Sequence, residues 1–472
     1  MKGSSFVPSF FPVIPSMVTG WCLLVVVACE HPTPPESESG QMADPAAWWS
    51  DAGEEEILDS VQRQVFRYFW EYAEPNSGMA RERFHPDGVY PQGDAHVVTT
   101  GGGGFGLMAI LAAIERGFIG REEGLARLER IVDFLEGADR FHGIWPHWLH
   151  GETCAVQPFS LRDDGGDIVE SAFLAQGLLC VRQYFRTGSE RERALADQID
   201  RLWREMEWSW HTKGENILYW HWSPNYAWEM NFSIGGYNEC LIAYVLAAAS
   251  PTYGVEPAVY HEGWARSGAI VANDEYLGYP RVLDHYEHGE APVGPLFWAH
   301  YSYLGLDPRG LQDRYGDYWA LNRNHTLIHY TYCMQNPEGY QGYGKNCWGL
   351  TSSYTRTGDG GVGYAGHRPG EDRGVISPTA AVSSIPYTPV ESLQAIRGFY
   401  EEYGDRLVGP AGFYDAFSPE YDWVARRYLA IDQGPMVAMI ENHRSGLLWD
   451  LFMSCPEVKA GLRKLGFQSP KI

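Results

Sequence analysis

The stretch that decides the fold is residues 161–179, LRDDGGDIVESAFLAQGLL. Asp163, Asp167 and Glu170 stand four and three residues apart, a spacing that places side chains on one helical face. Gly165 and Gly166 oppose a helix through Asp163. Residues 168–179 hold so few polar positions that they predict a helix apolar on nearly every side, enclosed in a large core. The acids therefore fall at or just before the start of a buried helix, at a mouth rather than on an outer face. Two readings stand at this level. Asp167 is an N-cap with Glu170 as its N3 partner, or the acids are gathered for chemistry.

Working outward, apolar periodicity predicts helices at residues 54–71, 105–116, 121–135, 168–184, 191–208, 236–249, 261–273 and 294–304. Further helices are predicted at 308–320, 324–333, 389–403, 435–452 and 456–465. Alternating strands are scarce, and 216–222 and 407–416 are the best hairpin pieces. Paired helices joined by alternating short turns and long Gly/Trp/Tyr/Pro-rich loops predict an all-α ring of helix hairpins, inner helices apolar and outer ones amphipathic. The regularly spaced Val/Ile strands of a TIM barrel are missing. No low-complexity linker divides residues 53–472, which read as a single domain. The four glycines 101–104 lack a following GKS or GKT, so backbone crowding near a cavity or an irregular helix start explains them better than a phosphate loop.

The bulk numbers narrow the class. Of 472 residues, 36 are Lys or Arg and 60 Asp or Glu, a formal charge of −24. With no basic tract, nucleic acid is excluded as a partner. The 18 Trp, 29 Tyr and 20 Phe sit largely among Gly, Asn, His and Pro, as stacking platforms for a neutral polar ligand would. Cys154, Cys180, Cys240, Cys333, Cys347 and Cys455 show no CxxC spacing and no zinc pattern. Cys180 and Cys240 read as buried thiols.

Residues 1–28 read as an export signal: the apolar run WCLLVVVAC is too short to span a bilayer. Val26-Val27-Ala28-Cys29 has the form of a lipobox with Cys29 as the lipidated residue. Residues 29–52 read as a solvated tether. The expectation is an exported, periplasmic or cell-surface monomer, lipid-anchored to the outer membrane.

Glu239 is the second acid of interest. It precedes CLIAYVL, where a charged carboxylate is expensive to bury, so it is partnered, at a cavity, or protonated as a general acid must be. Asp432, in AIDQGPMVAMIENHRSG, precedes another inward-looking helix, where capping is the competing role. The loop HRPGEDRGVISPTAAVSSIPYTP offers His367 and Arg373 beside Tyr364 and Tyr387. WPHW (Trp145, His147), YAWE (Trp228), Tyr237 and FYDAF (Tyr414) add candidate sugar contacts. A carbohydrate hydrolase explains export, aromatics and acids at helix starts without a cofactor. A sugar-binding surface protein leaves the acid in an apolar helix unexplained. A metal-dependent hydrolase could draw on Asp163 and Asp167 with nearby histidines, but HExxH is absent, and no GxSxG elbow supports a serine hydrolase.

The segments TTGGGGFGLMAILAAIERG, DDGGDIVESAFLAQGLL, YAWEMNFSIGGYNE, RGVISPTAAVSSIPYTP, GFYDAF and AIDQGPMVAMIENHRSG, in that order across residues 55–465, resemble the bacterial glucoamylase-like proteins of glycoside hydrolase family 144, which include β-1,2-glucan-degrading enzymes. The resemblance implies an (α/α)6 toroid and anomer-inverting hydrolysis without cofactor or metal. It implies Glu239 as general acid and Asp432 as base, with Asp163 or Glu170 as rival base. Asp167, Trp145, His147, Trp228, Tyr237, Tyr364, His367, Arg373, Tyr387 and Tyr414 become the expected substrate contacts. In an inverting enzyme the acid and base carboxyls stand roughly 6.5–9.5 Å apart, a test that a proton relay through a substrate hydroxyl would relax.

Overall fold

Helix α1 (Glu54–Trp70) opens with Glu54, Glu55 and Glu56, favourable at the positive end of the helix dipole, and buries Ile57, Leu58, Val61, Val65 and Phe69 along one stripe. The computed structural model describes residues 52–285 and 291–472. The export signal, Cys29 and the tether up to residue 51 lie outside the described residues. Ala52 already belongs to the fold, buried with its carbonyl accepting from Arg397.

Helices of two kinds alternate along the chain. The outer kind is amphipathic: α1, α3 (Arg121–Gly137), α5 (Glu190–Arg204), α7 (Tyr318–Gln335) and α9 (Pro389–Leu407). In α5, capped by Ser189 with Glu192 completing the capping box, one stripe is covered. The inner kind is α2 (Thr100–Glu115), α4 (Ile168–Phe185), α6 (Leu241–Ala249), α8 (Pro378–Val382) and α10 (Ala430–Arg444). In α4 every residue from Ile168 through Arg182 is buried. Two positions in this alternation are reduced. The outer segment after α6 is a π turn at Val259–Trp264, and the inner segment after it is a pair of 3-10 turns at Leu296–Ala299 and Tyr301–Tyr303.

The inner segments pack in succession. α10 lies on α2, α2 on α4, α4 on α6, α6 on the Tyr301 turn, and α8 back on α10. His300 to Ser384 (3.0 Å) and Tyr387 hydroxyl to the Ala299 carbonyl (2.9 Å) join the 3-10 segment to the chain just after α8. This is the (α/α)6 toroid. Short helices α11 (Leu447–Met453) and α12 (Pro456–Lys464) close the chain, α12 against α6. Among the described residues the strands form small antiparallel sheets, one of three strands (Val97–Thr99, Trp148–His150, Val156–Gln157) and the rest of two, including a hairpin of Ser352–Arg356 with Val362–Gly366. Among the described residues no helix is long and apolar enough to cross a membrane.

Several predicted boundaries move. α2 begins at Thr100 rather than 105, running through the glycines. A Cβ on Gly104 would lie 2.3 Å from the Phe173 carbonyl oxygen, and one on Gly177 would lie 2.2 Å from that of Gly104. The two inner backbones touch, and that packing outweighs low glycine propensity. α10 begins at Ala430 and carries Pro435 inside it, so Asp432 sits within the first turn instead of ahead of the helix. The predicted helix 308–320 is a loop until α7: Asp313 accepts from the Tyr315 and Gly316 N–H groups, and Gly310 is left-handed. The predicted helix 261–273 stops where Arg266 and Ser267 take positive φ. α8 forms within a stretch that the sequence predicts as loop. At the far end of α10, Glu441 is held by Arg116 (2.8 Å to each oxygen), Ser445 and Gln62, the last also bound by Arg444, a buried polar network that ties α10 to α1 and α2. The six described cysteines are free thiols, all buried except half-buried Cys154.

Candidate active site

The N-terminal ends of the inner segments converge on one cavity of about 590 Å³. Thr99 precedes α2. Glu170 and Phe173 come from the first turns of α4, Glu239 from just before α6, Phe297 and Tyr301 from the 3-10 segment, and Leu429 and Ile431 from the start of α10. Helix N-termini favour negative charge, so this end of the ring suits carboxylates. Trp148, Phe159 and Trp220 form one aromatic side of the cavity, and Tyr354 and Tyr364 of the hairpin form another. The Glu82–Arg83 ion pair stands at the edge. Tyr364 is 59% exposed, an aromatic face presented to whatever enters.

At the start of α4 the acids are held by histidines and backbone. Asp167 is the N-cap: its Oδ1 accepts the Val169 and Glu170 N–H groups at 3.0 and 2.9 Å, and its Oδ2 lies 2.9 Å from His147 Nδ1. The capping box stays incomplete, because the Glu170 side chain turns away to accept the Gly101 N–H at 2.8 Å. Gly101 is required there, since a Cβ would stand 2.5 Å from Glu170 Oε2. Asp163, buried beside them, is 3.3 Å from His221 Nδ1 and 3.9 Å from His147. Burial raises the Asp167 carboxyl, but the His147 hydrogen bond, the His221 and His147 charges and the backbone donors carry it below the ordinary carboxylate range. Glu170 is raised to about 7, first by burial and then by the Asp167 and Asp163 charges, with His147 and the Gly101 N–H pulling the other way. Burial pulls His147 down, but Glu170, Asp167 and Asp163 together lift it to about 9. His147, Asp163 and Asp167 offer ligand atoms within 4.8 Å of one another. A cation there would have to displace the proton this histidine holds.

Asp432 is 1% exposed and lies beneath the cavity floor. Its Oδ1 accepts from the Tyr301 hydroxyl at 3.5 Å, and Tyr301 itself lines the cavity. Half-buried Glu239 lines the cavity directly, and its backbone carbonyl accepts from Ser302.

A family model described as "Glycoamylase: Putative glucoamylase" matches residues 231–456. The chain is 59% identical to an endo-β-1,2-glucanase from Chitinophaga pinensis solved with sophorotriose and glucose, covering 89% of this chain and 100% of that one with a TM-score of 0.86. The chain belongs to the glucoamylase-like proteins of glycoside hydrolase family 144. A putative glucoamylase from Bacteroides caccae is 60% identical over 88% of this chain and 100% of that one, with a TM-score of 0.85. An exo β-1,2-glucooligosaccharide sophorohydrolase (non-reducing end) from Parabacteroides distasonis is 44% identical over 430 residues, 87% of this chain. The chain spans 58% of the length of that curated relative.

Within this family 144 site, Glu170, Glu239, His147 and Tyr364 line the cavity, and Asp163, Asp167 and Asp432 stand directly behind its wall. Other expected contacts do not reach it. Trp145 is fully buried, its Nε1 donating to the Leu135 carbonyl. Tyr237 is sealed against Asn322 and His325, and Tyr387 spends its hydroxyl on Ala299. Tyr414 packs on Tyr428. Trp228 belongs to a separate cluster with Trp210, His211 and Tyr219. His367 is buried, and burial and the Arg373 charge push it down to about 4; exposed Arg373 lies outside the cavity lining. Trp145, Tyr237 and Tyr387 found their polar partners in the protein, whereas both ring nitrogens of His367 are buried without one. Phe159, Trp220, Phe297 and Tyr301 also line the cavity, with no pattern in the sequence to mark them. Phe297 and Tyr301 lie in GPLFWAHYSY, which scans as ordinary core helix until 3-10 geometry turns both rings to one cavity.

Proposed function

We propose that this protein hydrolyses β-1,2-linked glucan or its oligosaccharides with inversion at the anomeric carbon. The observation that carries the reading is Glu170 and Glu239, delivered by two different inner helices to one aromatic-walled cavity. The names of the Chitinophaga and Parabacteroides relatives supply the linkage. Glu239 gives its proton to the departing glycosidic oxygen. Asp432 draws a proton from the attacking water through the Tyr301 hydroxyl, whose own proton passes to Asp432 as the water's proton replaces it. The 3.5 Å contact of the Tyr301 hydroxyl with Asp432 Oδ1 supports this step. Glu170, oriented by Gly101, and His147, oriented by Asp167, present an acceptor and a donor to glucose hydroxyls. Trp148, Trp220 and Tyr364 offer ring faces to the apolar sides of the sugars.

The full-length match at 59% identity to an endo enzyme favours internal cleavage. A glycan panel containing β-1,2-glucan, with products followed by chain length and anomeric configuration, tests the whole reading. A spread of oligosaccharides with inverted anomers supports it, disaccharide alone from one end would change the mode, and no consumption of β-1,2-glucan would overturn the activity. We also propose export and lipid anchoring through Cys29 of a monomer, on the strength of the Val26-Val27-Ala28-Cys29 sequence. Incorporation of labelled palmitate that is abolished by Cys29→Ala tests the anchor, and light scattering tests the monomer.

A further inference from the structure

We propose that Asp415 is the positioning partner of Asp432, the two side chains sharing a single proton beneath the cavity floor. This rests on the reading of Asp432 as the proton acceptor. Both are sealed, at 2% and 1% exposure, and lie within hydrogen-bonding reach of each other. Asp415 Oδ2 accepts the Tyr354 N–H at 2.7 Å, and Asp432 Oδ1 receives the Tyr301 hydroxyl. The remaining oxygens, Asp415 Oδ1 and Asp432 Oδ2, are buried and receive no protein donor. Two carboxylates accept only, so a hydrogen bond between them requires that one keep its proton.

The surroundings enforce this. The groups acting on the pair are Tyr354 and Glu82 on the Asp415 side and Tyr301 on the Asp432 side, with the Tyr364 hydroxyl close to both. Arg83 and Arg427 act on Tyr354, one step further out. Glu239 and Glu170 act on Tyr301 from across the cavity. Burial is the largest influence on each carboxyl, so a second negative charge would be costly in so desolvated a site. Burial raises both acids; the Asp415 charge lifts Asp432 further, well above the ordinary carboxylate range, while the hydrogen bond with Asp432 and the Tyr354 N–H hold Asp415 to about 6. The pair is therefore singly ionised around neutrality, the state in which it can still take a proton.

The segment Ser377-Pro378-Thr379 fixes the arrangement. Ser377 Oγ donates to the Asp415 carbonyl and Thr379 Oγ1 to the Asp432 carbonyl, each at 2.6 Å. One turn of chain thus sets the register between a loop aspartate and a helix aspartate. Pro378 at the start of α8 stiffens that turn.

The experiment is infrared difference spectroscopy at neutral pH combined with steady-state kinetics on β-1,2-glucan, using the wild type, Asp415→Asn, Asp415→Glu and Asp432→Asn. The expected result is a protonated-carboxyl carbonyl component that is lost in the wild-type-minus-variant difference spectra of both asparagine variants, over any band that Glu170 and Glu239 contribute unchanged. Asp415→Asn should lower kcat by about tenfold or more with KM little changed, and Asp415→Glu should recover part of it. A difference spectrum for Asp415→Asn in which no protonated-carboxyl component is lost overturns the pair, and the absence of any shift of that component in Asp415→Glu overturns it if the asparagine variant fails to fold. If the component behaves as expected but Asp432→Asn retains full turnover, the pair stands and the assignment of Asp432 as acceptor falls.

Discussion

The two acidic banks of the cavity are neutralised in different currencies. At the start of α4, Asp163, Asp167 and Glu170 sit against His147 and His221, and two backbone N–H groups close on Asp167. At the start of α10, Asp432 and Asp415 have each other, two tyrosines and one backbone N–H. The first bank is balanced by a cation and the second by a proton. A buried carboxylate that is ion-paired makes a rigid scaffold with a fixed charge, whereas one that shares a proton keeps a proton affinity useful near neutrality. In the proposed mechanism the same residue type, at the starts of two inner helices, holds sugar on one side and accepts a proton on the other.

The largest effect should come from Glu239, the acid that lines the cavity just before α6. Glu239→Gln is expected to lower kcat on β-1,2-glucan by at least about 100-fold with folding retained, measured on purified variant with circular dichroism as control. Near-normal turnover would leave both banks without a donor to serve. Next, Asp432→Asn and Asp167→Asn should part company. Asp432→Asn should cut turnover by about 100-fold while leaving the thermal midpoint near that of the wild type, because no cation is orphaned. Asp167→Asn should destabilise by about 3 kcal/mol, since it removes the fully buried carboxylate that pairs with half-buried His147. Equal loss of stability in both would erase the distinction between the banks.

A smaller effect is expected in the pH dependence of stability. His147 is raised to about 9 from 6.5, so its contribution is fully present below pH 6.5 and is lost as pH rises through about 9. It should amount to roughly 2–3 kcal/mol. Glu170, raised to about 7 from 4.5, acts in the same direction as pH rises between those values. Histidines without carboxylate neighbours do the opposite. His325 is pushed down to about 4 and His300 to about 3 by burial, so stability is lost as pH falls below 6.5. Thermal midpoints across pH 4–9 should fall at both ends, and His147→Gln should remove the alkaline decline alone. The smallest effect is expected from EDTA: activity should change little, because the proton on His147 already occupies the position a cation would need. Reproducible loss restored by one metal would replace the proton with an ion on the first bank.

Much of the architecture is legible in the chain. The unbroken apolar character of residues 168–179 marks an inner helix, and the one-sided pattern of residues 54–71 marks an outer one, because burial all round and burial on one side leave different periodicities. The reduced segments were illegible for the converse reason. Residues 294–304 carry a helix's composition, but 3-10 geometry there is set by what the neighbours leave room for, and residues 378–382 make an inner helix too short to show any period.

The sequence by itself determined which stretches would be enclosed, that Asp163, Asp167 and Glu170 would meet at a helix start, and that Glu239 would face either a partner or a cavity. These follow from local spacing and the cost of burying charge. Only the tertiary structure decided that Trp145, Tyr237 and Tyr387 are core, that Tyr301 floors the site, and that Asp415 meets Asp432. An aromatic residue packs or stacks according to which partner reaches its polar end first, and two acids become a proton-sharing pair only when no cation is folded in beside them.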